Sequence, residues 1–170
     1  MIKVLMICHG NICRSPMAEF ILKDMVEKRG LTELFQIDSK ATSDEEIFHG
    51  HGNPVYPPAA EELKRHGIGN TPYTDFRGKR AEQAVASDYR NYDYILCADS
   101  ENVRNMLRLF GPDGDRKVHM LMDYSEDPGD HGKSISDPWY TRNFTRAFED
   151  AKRGCEGFLK GLGFRIRYIR

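Results

Sequence analysis

The N-terminal segment passes from an apolar run through a short polar loop into a helix, and no other feature constrains the fold as strongly. Residues 2–8 form an almost continuous apolar run, as expected for a strand that is buried on both faces. Residues 9–14 include a glycine and an asparagine, which predict a turn. Ser15 and Pro16 then indicate a helix start, with Ser15 as the N-cap and Pro16 at the first helical position.

Three further segments predict strands that alternate with helices. Residues 35–42, 94–98 and 118–122 are the strand candidates, and residues 43–58 and 123–137 are predicted loops. This alternation predicts an α/β fold, a parallel sheet with right-handed crossovers and helices on both faces. In such sheets the working loops follow the carboxyl ends of strands, so the loop after the first strand is the predicted site. The predicted helices run from Ser15 to Gly30, over 59–66, weakly over 81–86, from Asp99 or Ser100 to about Phe110, and along a C-terminal apolar face of Phe144, Phe148, Ala151, Cys155, Phe158 and Leu159.

Length and composition predict one domain over residues 1–170. A chain with 30% charged and 39% hydrophobic residues is globular, and no linker divides it. The net charge of -1 gives no overall attraction to nucleic acid or to an anionic membrane, so neither is an expected partner and any anion site must be local. The four cysteines are few for a disulfide scaffold, and the apolar start is too short for a signal peptide or a spanning helix. We therefore expect a cytoplasmic protein with reduced thiols.

The loop over residues 8–15 carries the chemistry. Cys8 and Arg14 lie at its ends, separated by five residues, and a helix follows. When such a loop curls around an oxyanion, its backbone N–H groups point inward and the helix N-terminus adds positive potential. The guanidinium binds two phosphate oxygens, and the same surroundings favour a thiolate that attacks phosphorus in line. The predicted phosphate-binding residues are His9, Gly10, Asn11, Ile12, Cys13, Arg14 and Ser15, of which Ser15 is also placed to hydrogen-bond the sulfur.

Asp137 is the candidate general acid. It ends a long loop, and Pro138 biases it away from helical geometry and stiffens the turn. A carboxyl group there would protonate the departing oxygen and then, as a carboxylate, activate water to hydrolyse the thiophosphate. Trp139 and Tyr140 add aromatic surface beside the acid. The side chain of His9 is expected to point outward, where it would tune substrate choice.

Residues 7–16 and 137–140 together resemble the low molecular weight protein tyrosine phosphatase family. Asp38-Ser39 and residues 53–67 and 92–102 also resemble segments of that family, so the resemblance spans nearly the whole chain. It implies a four-stranded parallel sheet and a cysteinyl-phosphate mechanism without a metal or a cofactor. It also implies phosphotyrosine-containing proteins or peptides as substrates, with phosphate and other oxyanions as inhibitors.

The resemblance also implies roles for individual residues. It implies that the first cysteine of the loop is the nucleophile, that the arginine binds the phosphate and the transition state, and that the aspartate before the proline is the general acid. Asn11, Ser15 and Ser39 are implied to form a hydrogen-bond network that holds the loop in shape, and Tyr140 to lie at the rim, where a substrate ring stacks.

Three positions depart from the family pattern. Residues 44–47 read Asp-Glu-Glu-Ile where many relatives carry an aromatic residue that lines the cleft. Lys79 aligns with a histidine of the loop-supporting network, and Thr141 stands in the place of a second rim tyrosine. These departures bear on substrate preference and loop rigidity, and they leave the chemistry intact.

Several residues have a second interpretation. Cys13 is either a redox partner that forms a reversible disulfide with Cys8 or a filler of the loop. A metal at this cysteine pair is disfavoured because no second pair of ligands has matching spacing. Asp99 is either a helix cap or a partner of the site, and Trp139 is either a rim residue or a core residue.

Three other functions compete with the phosphotyrosine phosphatase. An arsenate reductase needs further cysteines to relay a disulfide, but Cys97 falls in a strand and Cys155 on a buried helix face. A phosphatase for phosphoarginine tends to have threonine at the position of Ile12. A phosphopeptide-binding module needs no nucleophile and no acid, and this chain keeps both.

Overall fold

Four parallel strands form the sheet at the centre of the fold. A computed structural model describes residues 1–164, so the basic tail with Arg165, Arg167 and Arg170 lies outside the described residues. In chain order the strands are β1 (Ile2–Cys8), β2 (Phe35–Ala41), β3 (Ile47–Phe48), β4 (His51–Gly52), β5 (Tyr94–Cys97) and β6 (Val118–Met120). The helices are α1 (Arg14–Lys28), α2 (Pro57–Arg65), α3 (Asp88–Asn91), α4 (Ser100–Phe110), α5 (Pro138–Thr141) and α6 (Phe144–Gly161).

The order of the sheet is β2-β1-β5-β6, with every neighbouring pair parallel. The prediction of a four-stranded parallel α/β fold is confirmed. β1 is an inner strand and pairs along its length with β2 on one side and with β5 on the other. This position explains why its sequence is apolar without alternation, since both of its faces are covered.

Successive residues of β1 enter two different cores. Val4, Met6 and Cys8 pack with α1 and α6 on one face of the sheet. Leu5 and Ile7 pack on the other face, in a smaller core that includes residues of α4. Helices therefore cover both faces, and the strand ends at Cys8 with its direction fixed by packing on either side.

The start of α1 differs from the sequence prediction. The helix begins at Arg14 with Cys13 as its N-cap, so the prediction of Ser15 as N-cap and Pro16 as first helical residue is wrong. The hydroxyl of Ser15 is engaged inside the site, where it contacts Cys8 and Asn11. The tertiary contact thus replaces the local cap that the sequence pattern indicates.

Two other predictions for the connecting segments are wrong. Residues 81–86 form no helix: Gln83 makes a parallel bridge with Ala41, in which the Ala41 N–H donates to Glu82 O at 2.7 Å and the Ala84 N–H donates to Ala41 O at 2.8 Å, and Ala86 lies in a turn. Pairing with the end of β2 thus outweighs a weak helix propensity. The predicted loop over 43–58 contains the short β3-β4 hairpin and the first turn of α2.

Glycines allow α6 to approach the segment after β6 closely. A Cβ atom on Gly157 would overlap the carbonyl oxygen of Tyr124, and one on Gly154 would lie 2.7 Å from Leu121 Cγ. The helix needs glycine at Gly157 because the backbone of the neighbouring segment occupies the space, and at Gly154 because the Leu121 side chain does. α6 is thereby seated on the segment that leads into the long loop before α5.

We expect Gly157→Ala to destabilise the protein by about 1–3 kcal/mol or more, because the added methyl group forces α6 away from Tyr124. Gly161→Ala is the matched control, since nothing lies within 4 Å of a Cβ atom there. That control should be neutral or stabilise by up to about 1 kcal/mol through helix propensity. Urea unfolding of both variants measures the difference, and equal stability would contradict the close approach.

Candidate active site

The loop between β1 and α1 places Cys8 at the carboxyl end of the central sheet. The cysteine residue is only 4% exposed. Its sulfur lies 3.0 Å from Ser15 Oγ and accepts a hydrogen bond from the Asn11 N–H at 3.3 Å. Both contacts place hydrogen-bond donors against the sulfur, an arrangement that stabilises negative charge on it.

Asn11 holds the loop in its curled shape from within. Its backbone has φ 60, a left-handed conformation that asparagine tolerates better than most residues. Its buried Nδ2 donates to Ser15 Oγ and Ser39 Oγ, both at 2.8 Å, and its Oδ1 accepts from the Glu82 N–H at 3.1 Å. One amide group therefore joins α1, β2 and the extended segment after Lys79.

Arg14 is buried beneath the loop and anchored from two directions. Its Nη1 donates to Asp99 Oδ2 at 3.0 Å and to Ile135 O at 3.3 Å, while its Nη2 lies 3.5 Å from Asp137 Oδ2. Burial opposes its charge, but Cys8, Asp137 and Asp99 together outweigh burial and raise the pKa of Arg14. The guanidinium is therefore a fixed cation.

Asp99 serves two purposes at once. Its Oδ1 accepts from the Asn102 N–H at 2.8 Å, and the Asp99 N–H donates to Asn102 Oδ1 at 3.1 Å, which completes a capping box for α4. Its Oδ2 binds Arg14 at 3.0 Å. The cap and the site partner, which the sequence analysis treats as alternatives, are both present.

Asp137 caps the short helix α5 at the opposite side of the site. Its Oδ1 accepts from the Trp139 N–H at 3.0 Å, which leaves Oδ2 on the side of Arg14. Trp139 and Tyr140 are 68% and 82% exposed, so the interpretation of Trp139 as a core residue is wrong. Pro138 is the buried residue of this turn.

These elements enclose a pocket of about 770 Å³. Its wall includes acidic side chains, of which Glu45 and Glu46 belong to the segment 44–47 that the sequence analysis placed at the cleft, whereas Glu101 and Asp150 were not singled out there. The side chain of His9 is half-exposed, and its Nε2 lies 3.0 Å from Glu45 Oε2. Of the residues predicted for the site, the pocket is lined by Cys8, His9, Gly10, Ile12, Cys13, Arg14, Asp137, Trp139 and Tyr140, while Asn11, Ser15 and Ser39 are buried behind the loop.

Comparison with known proteins identifies the family. The sequence model of the low molecular weight phosphotyrosine protein phosphatase family matches residues 3–166. The chain belongs to this family. Its curated members named as protein-tyrosine phosphatases are hydrolases that act on phosphoric monoesters.

Individual relatives agree with this assignment. The chain is 36% identical to the low molecular weight protein-tyrosine-phosphatase YfkJ of Bacillus subtilis, over 95% of this chain and 96% of the relative. It is 41% identical to the low molecular weight phosphotyrosine protein phosphatase of Schizosaccharomyces pombe, over 95% and 97% of the two chains. The crystal structure of YfkJ matches 96% of this chain and 95% of its own with a TM-score of 0.84. A solved structure of a Drosophila arginine phosphatase, DARP, matches 95% and 98% of the two chains at 29% identity with a TM-score of 0.79.

Lys79, which the sequence analysis aligned with a histidine of the family's loop-supporting network, lies among the residues that support the loop. Its Nζ donates to Ser39 O at 2.7 Å and lies 3.6 Å from Glu19 Oε1. Glu19 is buried, accepts from Ser39 Oγ at 2.6 Å and is paired with Lys23 at 2.8 Å. Sequence reasoning missed Glu19 and Lys23, although their spacing of four residues in a helix signals an ion pair.

The three other cysteines have thiols that stay protonated at neutral pH. Burial, and then the neighbouring Cys8, raises the pKa of Cys13 to about 12. Burial also raises the pKa of Cys97 and of Cys155. Within residues 1–164, no group of three or more His, Cys, Asp and Glu side chains is arranged to hold a metal ion. In the same range, no helix is both long and apolar enough to cross a membrane.

The network predicts a distinct effect for each replacement of Asn11. Asn11→Ala should destabilise the protein by about 2–4 kcal/mol, because alanine is strained at positive φ and the buried partners lose their hydrogen bonds. Asn11→Gly removes the backbone strain alone, so it should be less destabilising while losing the same hydrogen bonds. Both variants should bind inorganic phosphate more weakly, as measured by calorimetry. Full phosphate affinity in Asn11→Gly would show that the side chain does not shape the loop.

Proposed function

We propose that this chain hydrolyses phosphotyrosine in proteins or peptides through a cysteinyl-phosphate intermediate. The observation that carries the proposal is the convergence of Cys8, Arg14 and Asp137 on one pocket, with Arg14 between the nucleophile and the acid. These groups supply attack, charge stabilisation and a proton, which phosphoryl transfer requires.

Cys8 is the proposed nucleophile. A phosphate held by the loop's N–H groups and by Arg14 places phosphorus above the sulfur, in line with the departing oxygen. Sulfur then forms a bond to phosphorus as the bond to the phenolic oxygen breaks. Arg14 stabilises the charge on the equatorial oxygens, because Asp99 and Ile135 hold its guanidinium in a fixed orientation. Inorganic phosphate and other oxyanions would occupy the same place as competitive inhibitors.

Asp137 is the proposed general acid and then base. The bond from the Trp139 N–H to Oδ1 orients the carboxyl group, and Oδ2 faces the pocket. The acid gives its proton to the phenolic oxygen, and the resulting carboxylate takes a proton from water that attacks the thiophosphate. The sulfur leaves as a thiolate beside Ser15 Oγ, at 3.0 Å, and the Asn11 N–H, at 3.3 Å, which stabilise it.

The rim supports an aromatic substrate. Trp139 and Tyr140 are exposed next to the acid, where they offer ring faces to a phosphotyrosine side chain. Ile12 adds apolar surface to the pocket wall. These three side chains favour an aryl leaving group.

The proposal predicts aryl phosphate hydrolysis in the presence of a chelator. Cys8→Ser should abolish turnover, and Asp137→Asn should lower it by about 10²–10⁴-fold. Asp127→Asn is the matched control, since Asp127 also precedes a proline and accepts an N–H two residues on but does not line the pocket. Steady-state hydrolysis of phenyl phosphate measures all three. Full activity of Cys8→Ser, or wild-type protein that binds phosphate without turnover, would contradict the proposal.

A second candidate function is hydrolysis of phosphoarginine, favoured by the structural match to DARP. The pocket wall here presents Ile12, whose backbone oxygen accepts from the Tyr56 N–H at 2.9 Å. An apolar side chain at this place offers no hydrogen bond to a guanidinium, so we rank phosphotyrosine first.

We expect wild-type protein to hydrolyse phosphotyrosine faster than phosphoarginine. Ile12→Thr should reduce that preference by about tenfold, because the hydroxyl group accepts from the guanidinium. Ile12→Val is the control, since valine has the shape of threonine without the hydroxyl. Ratios of kcat/KM for the two phosphoamino acids in matched peptides give the result. An unchanged ratio in Ile12→Thr would remove this residue as the determinant.

An arsenate reductase receives no support from the cysteines. Cys97 and Cys155 are 1% and 0% exposed, and burial keeps both thiols protonated. Neither is placed to carry a disulfide from Cys8 to the surface. A reversible disulfide between Cys8 and Cys13 stays a prediction, as does the alternative that Cys13 fills the loop.

A further inference from the structure

A chain of hydrogen bonds connects α6 to the backbone that carries Asp137. Asp150, in the second turn of α6, accepts from the Ser136 N–H through Oδ2 at 2.9 Å. Its other oxygen, Oδ1, accepts from Arg153 Nη2 at 2.8 Å. Ser136 immediately precedes the proposed acid, so this contact fixes the peptide next to it.

Arg153 links the same chain to the long loop before α5. Its Nε and Nη2 bind the two oxygens of Asp130 at 2.9 and 3.1 Å, a two-pronged ion pair. Asp130 Oδ2 also accepts from Ser125 Oγ at 2.6 Å. These contacts, with that from Arg153 first, lower the pKa of Asp130, which therefore stays ionised and keeps its hold on the arginine.

These contacts are more than a solvated surface pair. The side chains of Asp130 and Asp150 are 13% and 14% exposed, and that of Arg153 is 41% exposed. Charge-assisted hydrogen bonds of partly buried groups with two-pronged geometry hold position better than isolated exposed pairs. The helix that bears Asp150 and Arg153 is itself anchored in the core through Ala151 and Cys155, both fully buried.

A second contact holds the neighbouring peptide. The Ile135 N–H donates to Ala98 O at 2.9 Å, and the Ile135 side chain is buried. Two successive N–H groups before Asp137 are thus tied down, one to the end of the central sheet and one to α6. Ile135 O also accepts from Arg14, which joins this backbone to the phosphate clamp.

We propose that Asp150 and Arg153 are positioning residues for the general acid, and we call this pair with Asp130 the acid brace. The inference rests on the proposed function, because it assumes that Asp137 delivers the proton. The brace holds the Ser136 peptide, the peptide directs Asp137 toward the leaving oxygen, and α6 supplies the rigid support. The long loop between β6 and α5 contributes to the brace because it brings Asp130 within ion-pair distance of Arg153.

The brace makes a prediction that a general loss of stability does not. Asp130 and Arg153 do not line the pocket, and none of the three residues contacts the anion-binding loop through a hydrogen bond or an ion pair within residues 1–164. Phosphate affinity should therefore survive in Arg153→Met, whereas Asp150→Ala also removes an acidic side chain from the pocket wall. Only the step in which the leaving oxygen takes a proton should become slower. The rate should fall most for a leaving group of high pKa, which depends most on that proton.

The test compares kcat/KM for phenyl phosphate and p-nitrophenyl phosphate, because the first leaving group needs the proton more than the second. In Arg153→Met and Asp150→Ala the value for phenyl phosphate should fall about tenfold further than that for p-nitrophenyl phosphate, as expected when a catalytic group is displaced. In Arg153→Met the inhibition constant for inorganic phosphate should stay within about twofold of wild type, because Arg153 does not line the pocket and the groups that bind phosphate are unchanged. Arg153→Lys, which keeps the cation, should restore part of the loss.

Arg77→Met is the matched control. It breaks a two-pronged ion pair to Asp75, at 2.9 and 2.8 Å, away from the pocket, and should leave both substrates unchanged. An equal fall for the two substrates in both brace variants would overturn the inference, and so would a loss of phosphate affinity in Arg153→Met. Asp137→Asn separates the two proposals. If it changes the substrate ratio while the brace variants do not, the inference alone falls; if it leaves the ratio unchanged, the acid assignment falls as well.

Discussion

The buried guanidinium of Arg14 is the interaction on which the site depends. Arg14 is only 5% exposed, and a buried charge requires ion-pair or hydrogen-bond partners. Here those partners come from separate parts of the chain. Asp99 approaches from the start of α4, and Ile135 and Asp137 approach from the loop before α5. The need to satisfy one cation therefore brings the anion loop, the end of the sheet and the acid to the same point.

The loop over residues 8–15 requires contacts besides those of Arg14, because its backbone is strained at Asn11. Asn11 sits at positive φ with its amide group buried, and Ser15 and Ser39 satisfy it from two elements. The network ends at Glu19, a buried carboxylate whose charge Lys23 and Lys79 balance. Lys79 reaches the Ser39 carbonyl, so this side chain adds to the support of the loop.

Local sequence patterns predict much of this architecture, and contacts between residues that are distant in the sequence determine the rest. The apolar run of β1 and the cap at Asp99 are local patterns, and both appear as expected. Ser15 has the signature of an N-cap, but it lies inside the first turn because Cys8 and Asn11 use its hydroxyl. Residues around Gln83 pair with Ala41 instead of forming the predicted helix, and these partners lie about 40 positions apart in the sequence. Trp139 is exposed because Pro138 fills the buried place in its turn.

The two halves of the site are thus stabilised by different means. Cys8 and Arg14, the proposed nucleophile and phosphate clamp, lie at the two ends of one short loop, so β1, α1 and Asn11 largely set their geometry. Asp137, the proposed acid, comes from a distant part of the sequence, on a long loop whose conformational entropy must be offset by specific contacts. Contacts at three successive residues offset that entropy. The Ile135 N–H bonds to Ala98, the Ser136 N–H bonds to α6, and Asp137 pairs with Arg14. Arg14 joins the two parts of the site, because it binds Ile135 O and lies beside Asp137, while α6 adds a further contact on the Asp137 side through the Ser136 N–H.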